Sequence, residues 1–199
     1  SAVHGWRLGN PGATAIPWKM VQTQSKCLIT RSIAPFRFPI CNAAKTVSVG
    51  TFVTGVIPES YKRDRSLTDI GDPAEASLSG WPQEELEIHL SDEVQQWRII
   101  ASKTVNCGYA GASSLIGGRF EILSMPKEKT GFISADITCT EAGTLYLTFD
   151  ETLRPNGDVD PLSMECMNAI RLDVEPGEYT FQSMEPYGFQ YIKLACTEG

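Results

Sequence analysis

The chain has 199 residues, enough for one large domain or two small ones with a buried core. Apolar residues make up 42% and charged residues 21%, which marks a folded protein and excludes a disordered tail. Lys and Arg number 17 against 24 Asp and Glu, and the resulting charge of −7 argues against a nucleic-acid partner, because such a field repels phosphate.

In chain order, the first forty residues carry Pro11, Pro17, Pro35 and Pro39 with no clear hydrophobic period. This predicts an extended arm or linker over 1–40, coming from a preceding domain, and a folded domain over 41–199. The start, Ser1-Ala2-Val3-His4-Gly5, has no Met, charged n-region or apolar h-region, so the chain reads as a piece of something longer. Strand-like alternation begins at Lys45–Val53. A polar, irregular stretch follows from Pro58 to Pro82, containing the mixed patch Lys62-Arg63-Asp64-Arg65. Long loops of this kind are often functional or mobile. Pro82–Leu90 has acidic residues near its start, as a helix would, but Leu86, Ile88 and Leu90 alternate, and a strand is the expectation.

Further strands are predicted over Gln96–Ala101, Arg119–Leu123 and Gly131–Thr138. Thr144–Phe149 places Leu145, Leu147 and Phe149 on one face and Thr144, Tyr146 and Thr148 on the other. Ala169–Val174 repeats the pattern through Ile170, Leu172 and Val174. A Pro176-Gly177 turn follows, then Tyr179–Phe181 and Gly188–Leu194. Short strands separated by turn chemistry predict an all-β protein, an antiparallel, jelly-roll-like β-sandwich with an extended N-terminal arm. The longest apolar runs are four or five residues, so no helix here spans a bilayer and no membrane partner is expected.

The strong catalytic signatures are missing: there is no G-x-S-x-G, H-E-x-x-H, Walker-type loop or G-x-G-x-x-G. The two histidines, His4 and His89, suit a terminus and the exposed side of a strand better than a triad. Asp150 and Glu151 are candidate carboxylates for glycosidic chemistry, but neighbours in a strand point to opposite faces. Asn156-Gly157-Asp158-Val159-Asp160 spaces oxygen ligands as some calcium loops do. Asn-Gly is also a strong turn signal, and no Glu completes an EF-hand, so a plain turn is favoured. The six cysteines, Cys27, Cys41, Cys107, Cys139, Cys166 and Cys196, form no C-x-x-C pair. Zinc is not expected, and buried thiols are favoured over disulfides. No cofactor or metal follows from the sequence. Sugar contacts, if present, fall to aromatics in loop-like sequence, Trp81 beside Gly80 and Pro82, and Tyr109 within Cys107-Gly108-Tyr109-Ala110-Gly111. Trp97 reads as core.

One set of segments carries a resemblance. Gly117-Gly118 precedes a strand, followed by Gly131-Phe132-Ile133-Ser134-Ala135-Asp136-Ile137 and Gly143–Leu153. Glu175-Pro176-Gly177-Glu178-Tyr179-Thr180-Phe181 then leads to Pro186-Tyr187-Gly188-Phe189-Gln190-Tyr191-Ile192-Lys193-Leu194, with Pro17-Trp18-Lys19-Met20-Val21 upstream. Together these resemble the non-catalytic β-sandwich that precedes the α-helical barrel in bacterial α-L-rhamnosidases. Gln190 stands where that family commonly has Arg. The match spans most of 15–197 and is specific over 131–197.

In that family the catalytic carboxylates lie in the barrel, around an Asp-Cys-Pro motif that this sequence lacks. The resemblance therefore implies an accessory module without catalytic residues, inactive alone, whose partner is the catalytic barrel of the parent chain. A rhamnose-containing glycan is a further partner under this reading, and a periplasmic or secreted location is favoured. The alternative is a stand-alone carbohydrate-binding module using Trp81 and Tyr109. A small enzyme built on Asp150 and Glu151 ranks last.

Overall fold

The computed structural model describes residues 39–59, 88–163 and 166–198. Residues 1–38 of the predicted arm, the polar stretch after Glu59, Trp81, and residues 82–87 of the predicted strand lie outside the described residues.

The described chain is all-β and antiparallel, as the alternation predicts. It runs β1 (Lys45–Thr54), α1 (Ile88–Gln95), β2 (Trp97–Gly108), β3 (Arg119–Gly131), β4 (Ser134–Cys139), β5 (Gly143–Asp150), β6 (Ala169–Val174), β7 (Gly177–Gln182) and β8 (Tyr187–Glu198). Six strands form one sheet in the order β2-β1-β3-β8-β5-β6, and β4 pairs with β7 in a second sheet. The register sets Leu147 opposite Leu194 and Thr148 opposite Lys193 across β5 and β8, and Ile122 opposite Lys193 across β3 and β8.

Side chains alternate across the large sheet, so each of its faces can gather a core of its own. On the first face, Phe52, Phe120, Ile122, Tyr146 and Ala195 pack with Val94 of α1 and with Val159, Leu162 and Met167 of the β5–β6 connection. On the second, Leu147, Phe149, Phe189 and Met125 pack with Ile133 and with Phe181 of β7. The small sheet is thus the opposing layer of the sandwich. Its ladder is extended by one pair, where the Ile133 N–H donates to Ser183 Oγ at 3.0 Å and the Ser183 N–H to the Ile133 carbonyl at 2.8 Å. Phe120 and Phe149 are fully buried, and each such side chain stabilises the fold by ~1.5–3 kcal/mol.

Two expectations are corrected. Ile88–Leu90 opens a helix, not a strand, and His89 therefore lies on a helix. The helical spacing of Leu90 and Val94 places both in the first core, and Gln95 Nε2 donates to Ser91 Oγ one turn away at 3.0 Å. The described cysteines are not buried: Cys41, Cys107 and Cys166 are exposed, and Cys139 and Cys196 are half-buried. Apolar neighbours mislead at Cys139 and Cys196, since in a strand adjacent residues occupy opposite faces, while Cys41 and Cys166 lie outside the strands. Cys27 lies outside the described residues. Several strands also run further than alternation indicates: β2 continues to Gly108 and β3 to Gly131.

Candidate functional site

After β5 ends at Asp150, the chain folds back over the first face of the large sheet. Leu153 bridges Val159, the Arg154 N–H donates to the Asp158 carbonyl at 2.8 Å, and the Gly157 N–H to the Arg154 carbonyl at 2.8 Å. Gly157 has φ +81°, a conformation that side-chain-bearing residues avoid. The Asp158 N–H donates to Asn156 Oδ1 at 3.1 Å, closing the Asx-type turn that Asn-Gly favours. The segment 156–160 is therefore the turn its dipeptide predicts. Val159 and Leu162 drop into the core, both 1% exposed, and hold this turn against the sheet.

The turn delivers two carboxylates to two cations. Lys193 Nζ donates to Asp158 Oδ1 at 2.8 Å and Oδ2 at 3.0 Å. Arg154 Nη2 donates to Asp160 Oδ1 at 2.5 Å. Lys193 is only 3% exposed, and its ammonium lies 4.5 Å from the Phe120 ring centroid and 5.7 Å from that of Trp97. Burial pushes the Lys193 amine below its ordinary range, and Arg154 pushes the same way, while Asp158 opposes both by charge and hydrogen bonding.

Beneath the turn lies a cavity of ≈ 350 Å³. Its polar lining includes Lys193, Asp158, Asp160, Arg154 and Thr148; Trp97, Ile99 and Val94 supply apolar wall. Thr148 is 1% exposed, and among the described residues its Oγ1 is the buried side-chain polar atom with no hydrogen-bond partner. Trp97 is held in place by Phe52, with ring centroids 4.9 Å apart, and by an edge-on contact with Tyr146 at 4.9 Å. The Tyr146 hydroxyl donates to Glu93 Oε2 at 2.6 Å, and Arg171 Nη1 donates to Glu93 Oε1, fastening α1 to the sheet beside the cavity. Desolvation, and then Glu93, push the Tyr146 phenol well above its ordinary range.

Each described carboxylate in the cavity lining faces a cation, and hydrogen-bonding groups of both kinds stand around an aromatic wall. Among the described residues no group of three His, Cys, Asp or Glu side chains is placed to hold a metal ion.

The sequence candidates fall elsewhere. Tyr109 follows the far end of β2 from Trp97. Its N–H donates to the Ala44 carbonyl at 3.0 Å, and its hydroxyl accepts from Ser113 Oγ at 3.5 Å. Asp150 is buried and accepts the Glu151 N–H at 2.7 Å, while Glu151 is exposed, so the two carboxylates do not form a pair. Sequence reasoning missed Lys193, although one signal was present: a lone charge inside Tyr191-Ile192-Lys193-Leu194-Ala195, where a solvated face would carry more polar residues.

The sequence matches no protein-family model and no curated protein. Among solved structures, the chain is similar to a GH78 family rhamnosidase of Bacillus sp. GL1, at 13% identity and a TM-score of 0.41, over 53% of this chain and 12% of that one. It is also similar to a rhamnosidase from Klebsiella oxytoca with rhamnose bound, at 21% identity and a TM-score of 0.36, over 52% of this chain and 22% of that one. The likeness is to a minor part of much longer chains.

Proposed function

We propose that this chain is an accessory, non-catalytic β-sandwich module of an α-L-rhamnosidase-like glycoside hydrolase, packing against the catalytic barrel of its parent. The observation that carries the reading is the structural role of the segments with family-like sequence. Tyr187–Leu194 belongs to β8, at the centre of the large sheet, and contributes the buried Phe189; Gly143–Asp150 is β5, contributing the buried Leu147 and Phe149. Those segments build a frame and supply no paired carboxylates. A second support is the exposure of apolar side chains on β1 and β2, where Val49, Val53 and Ile100 are 36, 42 and 57% exposed. Such exposed apolar side chains suit contact with a further domain.

Two measurements test the proposal. An immunoblot of the source with antibody to this chain is expected to show a band several times 21.8 kDa; a band near that mass refutes an accessory role. The purified chain is expected to leave aryl α-L-rhamnosides intact, and turnover that survives Asp150→Asn and Glu151→Gln would demand a catalytic site on this domain.

A further inference from the structure

We propose that Asn156 is a site of spontaneous deamidation, and that its isoaspartyl product releases the β5–β6 connection from Lys193. The inference goes beyond the accessory role and does not depend on it.

Sequence and exposure select the residue. Of the asparagines Asn10, Asn42, Asn106, Asn156 and Asn168, Asn156 alone precedes a glycine. Deamidation needs the nitrogen of the next residue to reach the side-chain carbonyl carbon, and a side chain on that next residue obstructs the approach. Asn156 is exposed. Apart from its chain neighbours, no atom lies within 4 Å of where a Cβ would stand on Gly157.

The turn also prepares the carbonyl. The Asp158 N–H already donates to Asn156 Oδ1 at 3.1 Å. Attack at Cγ moves negative charge onto that oxygen, and a donor in place before the reaction stabilises it as an oxyanion hole does. The Gly157 N–H donates to the Arg154 carbonyl at 2.8 Å, so the reaction waits for this bond to open. In an exposed turn such opening is local and needs no global unfolding.

The Gly157 nitrogen gives its proton to solvent and attacks Asn156 Cγ. The N–Cγ bond forms, the Cγ–Nδ2 bond breaks, and Nδ2 takes up a proton and leaves as ammonia. Water then opens the five-membered succinimide. Opening at Cγ gives aspartate; opening at the main-chain carbonyl carbon gives isoaspartate. The balance is one water in and one ammonia out, with no change of oxidation state.

Isoaspartate routes the main chain through the side chain and adds one carbon between positions 156 and 157. The native turn is closed on both sides of that point. The Arg154 N–H donates to the Asp158 carbonyl at 2.8 Å, Leu153 bridges Val159, and Val159 is buried. The added carbon therefore displaces Asp158, whose carboxylate compensates the buried Lys193 ammonium. With that grip lost, the connection comes away from β8.

The test incubates the whole chain in mildly alkaline buffer and follows it by peptide mapping, isoaspartyl-specific methylation and the backbone NMR signals of Val159 and Lys193. Conversion is expected at Asn156 at least tenfold faster than at Asn42, Asn106 or Asn168, with isoaspartate the main product. The native Val159 and Lys193 signals should decay in step with it, and the urea midpoint should fall. Asn156→Ser keeps an oxygen acceptor for the Asp158 N–H but has no amide, and should hold its native signals throughout. Asn156→Asp carries the added charge without the added carbon and should also keep them. An intact Asn156 after a peptide of residues 154–160 has been consumed overturns the proposal. So do native Lys193 signals in the isoaspartyl chain, equal decay in Asn156→Ser, or loss of those signals in Asn156→Asp.

Discussion

Asp158 grips the Lys193 ammonium with both carboxylate oxygens, at 2.8 and 3.0 Å, although the two residues are 35 positions apart. The contact ties the β5–β6 connection to the central strand of the large sheet. Only 4% of the lysine side chain and 13% of the aspartate side chain are exposed, so water contributes little to solvating either.

That burial predicts an asymmetry between the two partners. Removing one member of a buried pair leaves an uncompensated charge and costs about 3–5 kcal/mol. Asp158→Ala strands the more deeply buried ammonium and is expected to cost more than Lys193→Met, which leaves a carboxylate three times as exposed though still mostly buried. Urea unfolding of both variants measures the difference; equal costs would show that the pair is effectively solvated.

The same lysine sets a pH dependence. Its amine titrates below the ordinary 10.5, so over the interval between the two values the unfolded chain holds more protons than the native one. Stability therefore rises with pH through that interval, because the penalty of a buried charge is removed as the native amine deprotonates. Urea midpoints taken from pH 7 upward should climb in the parent protein and stay flatter in Lys193→Met. Parallel profiles would contradict the assignment.

Tyr146 has the opposite sign. Its phenol is held protonated beyond the ordinary value of 10.0, so its contribution is complete below that pH and is lost above it. Tyr146→Phe removes the 2.6 Å bond to Glu93 and is expected to cost about 1.5–3 kcal/mol at neutral pH, as hydrogen bonds to charged groups do. Arg171→Ala acts on the same carboxylate from a more exposed position and should cost less than about 1 kcal/mol. A double-mutant cycle between Tyr146 and Arg171 reads their coupling through Glu93.

Two glycines separate steric from conformational cost. A methyl at Gly50 would fall against the Ala101 carbonyl oxygen and 2.5 Å from Phe120 Cζ, so Gly50→Ala should lose about 3 kcal/mol, at the top of the range for overpacking. Gly157 has open space around it and φ +81°. Gly157→Ala should lose only about 1–2 kcal/mol, all of it backbone strain. Thermal midpoints rank the pair, and the reverse order would contradict the packing of Phe120.

Alternation in Thr144–Phe149 was enough to assign faces to β5: Leu147 and Phe149 lie in one core and Tyr146 in the other. It could not reveal that Tyr146 and Thr148 are buried alongside Leu147, because a covered second face depends on what a distant segment packs there. The helix from Ile88 is hidden in the sequence for a related reason. Over three apolar positions a period of two and a period near 3.6 are hard to tell apart, and Val94, the residue that decides, lies beyond the predicted span. The cavity was legible only in fragments. Asn156-Gly157 marked the turn, but nothing local in the sequence pairs Asp158 with Lys193.

The order β2-β1-β3-β8-β5-β6 places β8, the last strand in the chain, between two earlier ones. Until residues 187–198 are available, β2-β1-β3 and the β5–β6 hairpin have no ladder joining them. Each would present an unpaired inner edge, and such edges recruit wrong partners. Completion of the large sheet thus waits for β8, where β3–β8 pairing closes a loop of more than fifty residues. High sequence separation of this kind slows folding. A chain lacking β8 should therefore accumulate as two half-sheets prone to self-association, and the rate at which β8 inserts should govern the yield of the folded sheet.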